Sequence, residues 1–516
     1  MNYFLLSIIG LVTYIAIFYY RYFTRQNPLP GPIPLPIVGN VLQYTGDAGK
    51  FMEGLRLIYG DMFEIYLGTK RVVCLCRSEM AGKLFNSPLR TYSNDGLDEF
   101  GVSSKGVLLN SNYDSWSYHR RILQKTISSP QFTKETVEST QALFREMEGL
   151  WKRIDNIDGD VKKIDFAGWL SQFTFENTLF SLTTLRAHNL INYYNATNPQ
   201  NKVVVPEGTI PNSHSFIESL KMIFEGAHFF LLTPKLLRNS PGISGTRDRL
   251  LKNKAWMSNI LLKLISERRT QVENSNEKID SNDLLTRFLT VNTDKDINKN
   301  IADDKHTEKI SDDDIKATIA DLLLGGTFTT AGMLSAIVYY LGHNPKEQKR
   351  MVQELDDVLG SDRDSNITLD QVNKLEYTDA VFKEASRLFP NIPVNIRANA
   401  EPSEIAGHRF PAKTQFMIDI EAIHRSPDYW NDPDTFNPDR WTNNPDPKQF
   451  NNYYQFGGGV RVCPGRKMAL AEVKTIVALL YRNYDIELVD KVSPLNYKYD
   501  FIKIVQEFEI KIKPRN

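Results

Sequence analysis

The residue best placed to do chemistry in this sequence is Cys463. It lies in a glycine-rich segment, 456–465, directly before a stretch with helical spacing of apolar residues. Glycine lets the backbone take positive φ and lets another body approach it closely. A cysteine just before a helix N-terminus sits where the helix dipole favours its thiolate. A thiolate held in this way can attack a substrate or ligate a metal.

The residues around Cys463 decide between these two roles. Phe456, Gly459, Arg461 and Gly465 complete the pattern Phe-x-x-Gly-x-Arg-x-Cys-x-Gly, which resembles the haem-binding loop of the cytochrome P450 family. In that family the cysteine sulfur is the axial ligand of haem iron. The resemblance implies haem b as cofactor, Cys463 as its metal ligand, Phe456 and Gly465 as residues of the cofactor loop, and Arg461 as a partner of a haem propionate.

A second pair of residues suits a carboxylate. Trp116 and Arg120 are four residues apart, so they share one face of a predicted helix. An indole N–H and a guanidinium on one face can both donate to a carboxylate. The pair resembles the Trp-x-x-x-Arg of the same family, which implies that it binds a haem propionate. By position, the resemblance assigns the same role to Arg397.

A long helix is predicted from Ser311 to His343. A hydroxyl cap followed by three aspartates is typical of a helix start, and the Asn-Pro pair at 344–345 ends it. The middle of this helix, 324–330, contains two adjacent glycines, each costing a helix interior roughly 1 kcal/mol relative to alanine. A chain that tolerates this cost is expected to use the groove that the glycines create.

The segment 324–330 resembles the oxygen-binding turn of the family, usually written Ala/Gly-Gly-x-Asp/Glu-Thr-Thr. The resemblance implies that Thr329 hydrogen-bonds dioxygen and helps to deliver protons, together with Thr330. Phe328 stands at the acidic position of this pattern. Because a phenyl ring cannot relay a proton, delivery must rely on the two threonines and ordered water, or on a distant acid.

Two further groups of residues follow from the resemblance. Glu384 and Arg387 share a face of a predicted helix, and the segment 436–441 is similar to the family's Phe-x-Pro-Glu-Arg-Phe. This implies a structural network of Glu384, Arg387 and Arg440, because buried charges are tolerated only when they satisfy one another. The residues expected to face the substrate are Phe100, Leu108, Gly325, Phe328, Ile392, Val394 and Asn395.

The N-terminal region predicts a membrane anchor. Residues 3–20 carry no charge, and about 18 to 20 apolar residues cross a bilayer as a helix. Arg21 and Arg25 follow the run, which keeps that side in the cytosol. A cleaved signal peptide would carry its charge before the run and a small-residue cleavage site after it. We therefore predict a transmembrane signal anchor at 1–24, a proline-rich neck at 25–40 and a catalytic domain at 41–516, single-pass in the endoplasmic reticulum membrane and facing the cytosol.

Composition narrows the class of protein further. The chain has 516 residues, with 62 basic and 62 acidic side chains, so it carries no net formal charge. Nucleic-acid-binding proteins are normally basic, so no nucleic-acid partner is expected. Its three cysteines are too few for a disulfide framework and fit a reducing compartment. Cys74 and Cys76 lie in a predicted β-hairpin over 63–77, where core packing is their expected role.

The resemblance covers essentially the whole chain, with its segments in the order found in microsomal, fungal-like members. It implies a mainly α fold with a small β-rich part, and a haem-thiolate monooxygenase that inserts one oxygen atom from dioxygen into an apolar, lipid-like substrate. Electrons would come from NADPH–cytochrome P450 reductase, with cytochrome b5 as a further donor. Two alternatives stay open: a haem-thiolate isomerase or dehydratase that acts on a peroxide without a reductase, and a non-enzymatic haem-binding sensor.

Overall fold

The computed structural model of the chain describes residues 3–87, 95–102, 105–207, 213–275, 283–296, 308–442 and 446–515. Helices predominate and the strands are short, which confirms the predicted mainly α architecture. The helices of the first half are α1 (Tyr3–Phe23), α2 (Ala48–Tyr59), α3 (Ser78–Phe85), α4 (Asp95–Phe100), α5 (Tyr113–Ile127), α6 (Pro130–Trp151), α7 (Phe166–Thr183), α8 (Asn189–Thr197), α9 (Ser213–Leu232), α10 (Lys235–Arg238) and α11 (Ser244–Asn274). Those of the second half are α12 (Leu284–Thr290), α13 (Asp312–His343), α14 (Pro345–Leu359), α15 (Leu369–Lys374), α16 (Glu376–Leu388), α17 (Ile420–His424), α18 (Pro447–Asn451) and α19 (Arg466–Asn483).

The strands in the described ranges form one four-stranded sheet and three smaller ones. They are β1 (Met62–Leu67), β2 (Lys70–Leu75), β3 (Lys162–Asp165), β4 (Val394–Ala398), β5 (Ser403–Ile405), β6 (His408–Phe410), β7 (Gln415–Asp419), β8 (Tyr484–Leu488), β9 (Tyr497–Asp500), β10 (Ile502–Val505) and β11 (Glu509–Pro514). In the largest sheet the order is β1-β2-β7-β4, and β1–β2 is the predicted hairpin. The pairing of β2 with β7 and of β7 with β4 brings the carboxyl third of the chain beside its N-terminal part.

The core is organised around α7 and α13, which pack along each other. Most residues of α7 are buried, including polar ones such as Glu176 and Asn177. The start of α13 is capped by Ser311, whose Oγ accepts a hydrogen bond from the Asp314 backbone N–H at 3.2 Å. Close contact between the two helices needs a glycine, because a Cβ on Gly326 would lie 2.5 Å from Thr178 Oγ1. The long helix predicted from the sequence is therefore present, and it is central.

The N-terminal helix α1 is long and apolar enough to cross a membrane, and its apolar stretch lies outside the core. The helix α13 also meets that length and composition, but most of it is buried inside the protein. The proline-rich segment after α1 lies along β1. The Glu64 N–H donates to the Pro30 carbonyl at 2.9 Å, and the Glu64 carboxylate pairs with Arg25 at 2.6 Å and accepts from the Leu29 N–H at 3.2 Å.

A buried charge network ties α16 to the segment that precedes the cysteine loop. Glu384 and Arg387 are fully buried and meet at 2.8 Å, and Arg440 Nε donates to the same carboxylate at 2.9 Å. The Trp441 indole N–H and the Asn437 backbone N–H also donate to this carboxylate, each at 2.9 Å. The three charged residues predicted to form a network are thus in direct contact.

We expect Glu384→Ala to lower the free energy of unfolding by roughly 3–5 kcal/mol, because it leaves the buried Arg387 and Arg440 guanidinium groups without their carboxylate. Denaturant titration followed by tryptophan fluorescence measures the change. The control is Glu487→Ala, which removes an exposed carboxylate paired with Lys491 and should cost less than ~1 kcal/mol. Equal losses in the two variants would contradict a structural role for the network.

Candidate functional site

The cysteine loop is held in place by its own backbone and by α3. The Cys463 N–H donates to the Phe456 carbonyl at 2.9 Å. Gly459 has φ +62°, and a Cβ there would lie 1.9 Å from the carbonyl oxygen of Phe85 at the end of α3. The helix α19 begins directly after Gly465, so its positive end faces the sulfur and favours the thiolate.

Cys463 differs from the other two cysteines of the chain in its surroundings. Cys463 is half-buried, whereas Cys74 and Cys76 are fully buried in an apolar cluster beside β1 and β2. Burial, followed by the nearby Asp419 carboxylate, raises the pKa of both buried thiols well above the ordinary value. Only a thiolate is a strong nucleophile or metal ligand, so these two cysteines are chemically inert.

Three buried guanidinium groups surround the cysteine loop. Arg120 donates to the Val462 carbonyl at 2.6 Å, and Arg461 donates to the Asn110 carbonyl at 3.2 Å. The Arg461 guanidinium also lies 3.7 Å from the ring centre of Trp116, which brings the predicted pair of α5 into the same cluster. Arg397, on β4, is fully buried and donates to the Ile396 carbonyl at 2.9 Å and to the Asn395 side chain.

This donor set fits a haem. Among the described residues, single guanidinium nitrogens of all three arginines are buried and make no hydrogen bond: Arg120 Nε, Arg397 Nε and Nη2, and Arg461 Nη1. Buried charge is costly unless it is paired, and the two propionates of a haem would supply carboxylates that guanidinium groups bind well. The fold places Arg120 and Arg461 around the Trp116 ring, and it places Arg397 beside Gly457 of the cysteine loop.

The helix α13 is continuous through the double-glycine turn. A Cβ on Gly325 would meet nothing within 4 Å, so this side of the turn opens onto free space. The Thr329 hydroxyl donates back to the Gly325 carbonyl, and the Thr329 carbonyl accepts from Asn391 Nδ2 at 2.7 Å. Thr330 is buried in the same turn. The groove predicted from the two glycines is thus formed by Gly325 alone, while Gly326 serves the packing against α7.

The surroundings of Phe328 are not those that an acidic side chain would need. It is buried, and its ring centre lies 6.1 Å from that of Phe224 on α9. The carboxylate that α13 presents to the neighbouring cavity is that of Asp321, about two turns before Phe328. Asp321 accepts from the backbone N–H groups of Val107 and Leu108 at 2.7 and 2.8 Å. Sequence reasoning could not have found this residue, because its partners are backbone groups more than 200 positions away.

A large apolar cavity extends from α13 and β4 towards α9 and the segment before α2. It encloses about 1280 Å³, part of which is open to solvent. Leu108, Ile392, Val394 and Asn395 line it, as expected for substrate-facing residues. Phe100 instead stacks on Phe230 at 4.9 Å between ring centres, in the core behind α9. Lining residues that sequence reasoning missed are Tyr44, Phe51, Ile223, His228, Met417 and Phe501.

His424 is another residue that the sequence analysis did not single out. Its Nε2 accepts from the Tyr454 N–H at 2.8 Å, and the Tyr454 ring stacks on Phe85 at 4.7 Å. Burial, followed by the charge of Arg387, lowers the pKa of His424 to about 3. The imidazole is therefore neutral at physiological pH and remains an acceptor that fixes the approach to the cysteine loop.

Comparison with known proteins identifies the class. The sequence profile described as "Cytochrome P450" matches residues 29–512, so the chain belongs to the cytochrome P450 family. The chain is 26% identical to tabersonine 6,7-epoxidase isoform 1 of Catharanthus roseus, covering 90% of this chain and 86% of that protein. It is 24% identical to cytochrome P450 4c3 of Drosophila melanogaster, over 95% and 89% of the two chains. A shorter stretch, 39% of this chain and 38% of the relative, is 36% identical to cytochrome P450 4V2 of Rattus norvegicus.

Membership of this family confirms the fold, the cofactor and the reaction class predicted from the sequence. The chain is a monooxygenase, an oxidoreductase that incorporates oxygen, and it binds haem b through a cysteine thiolate.

We expect Gly459→Ala to reduce haem incorporation strongly. The left-handed backbone alone costs a residue with a Cβ roughly 1–2 kcal/mol, and here the added carbon also collides with the Phe85 carbonyl. The measurement is the haem-to-protein absorbance ratio of the purified variant. Gly149→Ala is the control, since Gly149 lies within α6 with open space around it and should load normally. Normal loading of Gly459→Ala would show that this close approach is not needed.

Proposed function

We propose that this chain inserts one oxygen atom from dioxygen into an apolar, lipid-like substrate of the steroid, terpenoid or fatty-acid class, using electrons from NADPH. The observation that carries this proposal is the apolar cavity that reaches the open groove of α13. Tabersonine 6,7-epoxidase, to which the chain is similar, is named for an oxygen insertion.

The proposed roles of the residues follow from their positions. Cys463 holds the iron, and the loop from Phe456 to Gly465 shields its sulfur. Trp116, Arg120, Arg397 and Arg461 bind the propionates and so fix the orientation of the cofactor. When bound through a thiolate, haem supplies the cleavage of dioxygen and the transfer of one oxygen atom. The protein contributes position, a dry cavity and the movement of protons.

Proton delivery is assigned to Thr329, with Thr330 beside it. The Thr329 hydroxyl lies at the open side of the groove and bonds to the Gly325 carbonyl, so it can rotate and donate to a ligand in the groove. With Phe328 packed into the core, water must connect Thr329 to an acid elsewhere. Asp321 is the carboxylate on the same helix that lines the cavity, and we assign it as the source of this water-mediated path.

A basic surface beside the cysteine loop suits an electron donor with an acidic surface. Arg121 and Lys125 are exposed on α5, and Arg466 and Lys467 are exposed at the start of α19. The two helices are joined at this face by the Lys467 ammonium, which donates to the Ser128 carbonyl at 3.4 Å. Complementary charge increases the association rate of such pairs. NADPH–cytochrome P450 reductase is the proposed partner, with cytochrome b5 as a second donor.

The proposed location is the endoplasmic reticulum membrane, with the catalytic domain facing the cytosol. The apolar helix α1 supplies the anchor (1–24), and the neck (25–40) is bonded to β1 through Glu64, so that it sets the direction of the catalytic domain (41–516). The apolar side chains of Leu42 and Leu236 are exposed and would enter the lipid, where an apolar substrate is concentrated.

Cys463→Ser tests the ligand assignment. We expect the reduced, carbon monoxide-treated variant to lose the red-shifted Soret band, because a neutral hydroxyl cannot replace a thiolate as axial ligand. NADPH-dependent product formation should vanish with it. Cys76→Ser is the matched control and should keep the band, since that thiol lies in the core beside β2. A red-shifted band in Cys463→Ser would contradict the assignment of Cys463 as the axial ligand.

Thr329→Ala tests proton delivery. We expect the ratio of product formed to NADPH consumed to fall at least about tenfold, because a positioned proton donor is lost. Ser335→Ala is the control, because Ser335 also bonds a carbonyl four residues earlier on α13 but is fully buried in the core. The same assay separates the peroxide isomerase that Phe328 suggests: turnover of a peroxide substrate without NADPH would replace the monooxygenase proposal.

A further inference from the structure

The cavity has a polar end that the reaction itself does not explain. Tyr44, His228 and Tyr499 line this end, and Asp500 lies directly behind His228. These residues come from the segment after the neck, from the C-terminal part of α9 and from β9. We call this group the neck-end cluster. The rest of the lining is mostly apolar, so a polar group here is a candidate for recognising a polar part of the substrate.

The imidazole of His228 is held in one orientation. Its Nδ1 lies 3.5 Å from Asp500 Oδ1, and its ring stands edge-on between Tyr44 and Tyr499, at 5.4 and 5.8 Å between ring centres. In the neutral imidazole with Nδ1 directed to the carboxylate, Nδ1 carries the hydrogen and Nε2 on the opposite edge is the acceptor. The side chain is 16% exposed and lines the cavity.

Other polar side chains that line the cavity already have partners within the protein. The Asn40 amide oxygen accepts from the Tyr66 N–H at 2.7 Å, and Asp321 and Asn395 are bonded as described above. By contrast, the Tyr44 hydroxyl is buried and has no hydrogen-bond partner among the described residues. A buried polar group without a partner costs roughly 1–3 kcal/mol, so such a group calls for an explanation. Within the neck-end cluster, the Tyr44 hydroxyl therefore has bonding capacity that the described residues do not use.

The charges around this cluster favour a neutral ligand. Asp500 pairs with the largely exposed Lys498 at 2.6 Å, and the Asp47 carboxylate, which accepts from the Tyr497 hydroxyl at 2.7 Å, lies close by. Burial and then these two carboxylates, Asp47 before Asp500, raise the pKa of Tyr44 far above the ordinary value. A ligand carboxylate would meet the same repulsion, whereas a hydroxyl would not.

We propose that His228, held by Asp500, binds a hydroxyl group at one end of an otherwise apolar substrate. The substrate O–H donates to His228 Nε2, and the apolar body of the substrate extends along the cavity towards α13. This inference rests on the proposed function and narrows it: the substrate is a neutral apolar alcohol of terpenoid or sterol size and not a fatty-acid anion.

The test is calorimetric titration of the purified haem-containing chain in detergent with three matched ligands: farnesol, the hydrocarbon farnesene and farnesoate. We expect the natural chain to bind farnesol about tenfold more tightly than either of the others. His228→Phe keeps the ring between the two tyrosines but removes Nε2, so the preference for farnesol over farnesene should fall to within about twofold. Binding of farnesene itself should stay within about twofold of the natural value.

Asp500→Asn is the second variant, and it keeps the shape of the side chain. We expect it to improve farnesoate binding relative to farnesol by about threefold or more, because one repelling charge is gone. His408→Phe, on the surface hairpin β5–β6, is the control for His228 and should change no ratio. Asp485→Asn, an exposed carboxylate on β8, is the control for Asp500.

An unchanged farnesol-to-farnesene ratio in His228→Phe, tighter binding of farnesoate than of farnesol by the natural chain, or no binding of any of the three would overturn the inference. Calorimetry reads binding without turnover, so this failure is distinct from failure of the proposed function. If the chain shows the red-shifted carbon monoxide band and NADPH-dependent turnover but no preference for the alcohol, only the hydroxyl site is refuted. If the chain lacks that band, the proposed function is refuted, whatever the ligand preference.

Discussion

Buried positive charge around the cysteine loop is the constraint on which the rest of the structure depends. Arg120, Arg397 and Arg461 come from α5, β4 and the loop itself, and each is buried. Bringing three guanidinium groups out of water is unfavourable unless carboxylates join them. These guanidinium groups would hold the two propionates of a haem, and the hydrogen bond from Arg120 to the Val462 carbonyl fixes the residue next to the cysteine.

The elements around this centre are fixed by close approach as much as by burial. Gly459 lets the loop touch the end of α3, and Gly326 lets α13 touch α7. The Glu384 network and the neutral His424 imidazole hold the segment that leads into the loop. These contacts use backbone groups and small residues, which tolerate little displacement. A rigid frame of this kind leaves specificity to the cavity, whose walls are side chains from many elements, with α9 contributing more than any other.

The cavity joins two chemical environments. At α13 it is lined by Asp321 and Leu324, and at the neck end it offers the imidazole of His228 and the phenol of Tyr44. A substrate that spans both would be fixed at one end by a hydrogen bond and would present its other end to the reacting oxygen. The distance between the two ends would then determine which carbon is attacked, because a rigid substrate that is bound at one end holds its other end at a fixed position.

The sequence by itself determined the features that depend on neighbours in the chain. The cysteine loop, the cap and end of α13, the β1–β2 hairpin and the apolar N-terminal helix could be read from spacing alone, since local rules of capping, alternation and apolar length govern them. The resemblance of short motifs to the cytochrome P450 family then supplied the class and the cofactor. The contact between Glu384 and Arg440 was implied in the same way and is present in the structure.

Tertiary structure alone decided which side chains meet across long separations. It directed Phe328 towards Phe224 and Phe100 towards Phe230, it paired Asp321 with backbone groups of the 106–109 segment, and it set His228 against Asp500. The periodicity of the sequence does not predict such long-range contacts, because a helical pattern fixes which face a residue occupies but not which element packs against that face. The class of reaction was therefore readable from the chain, whereas the walls of the cavity, and with them the choice of substrate, depend on the packing of segments hundreds of residues apart.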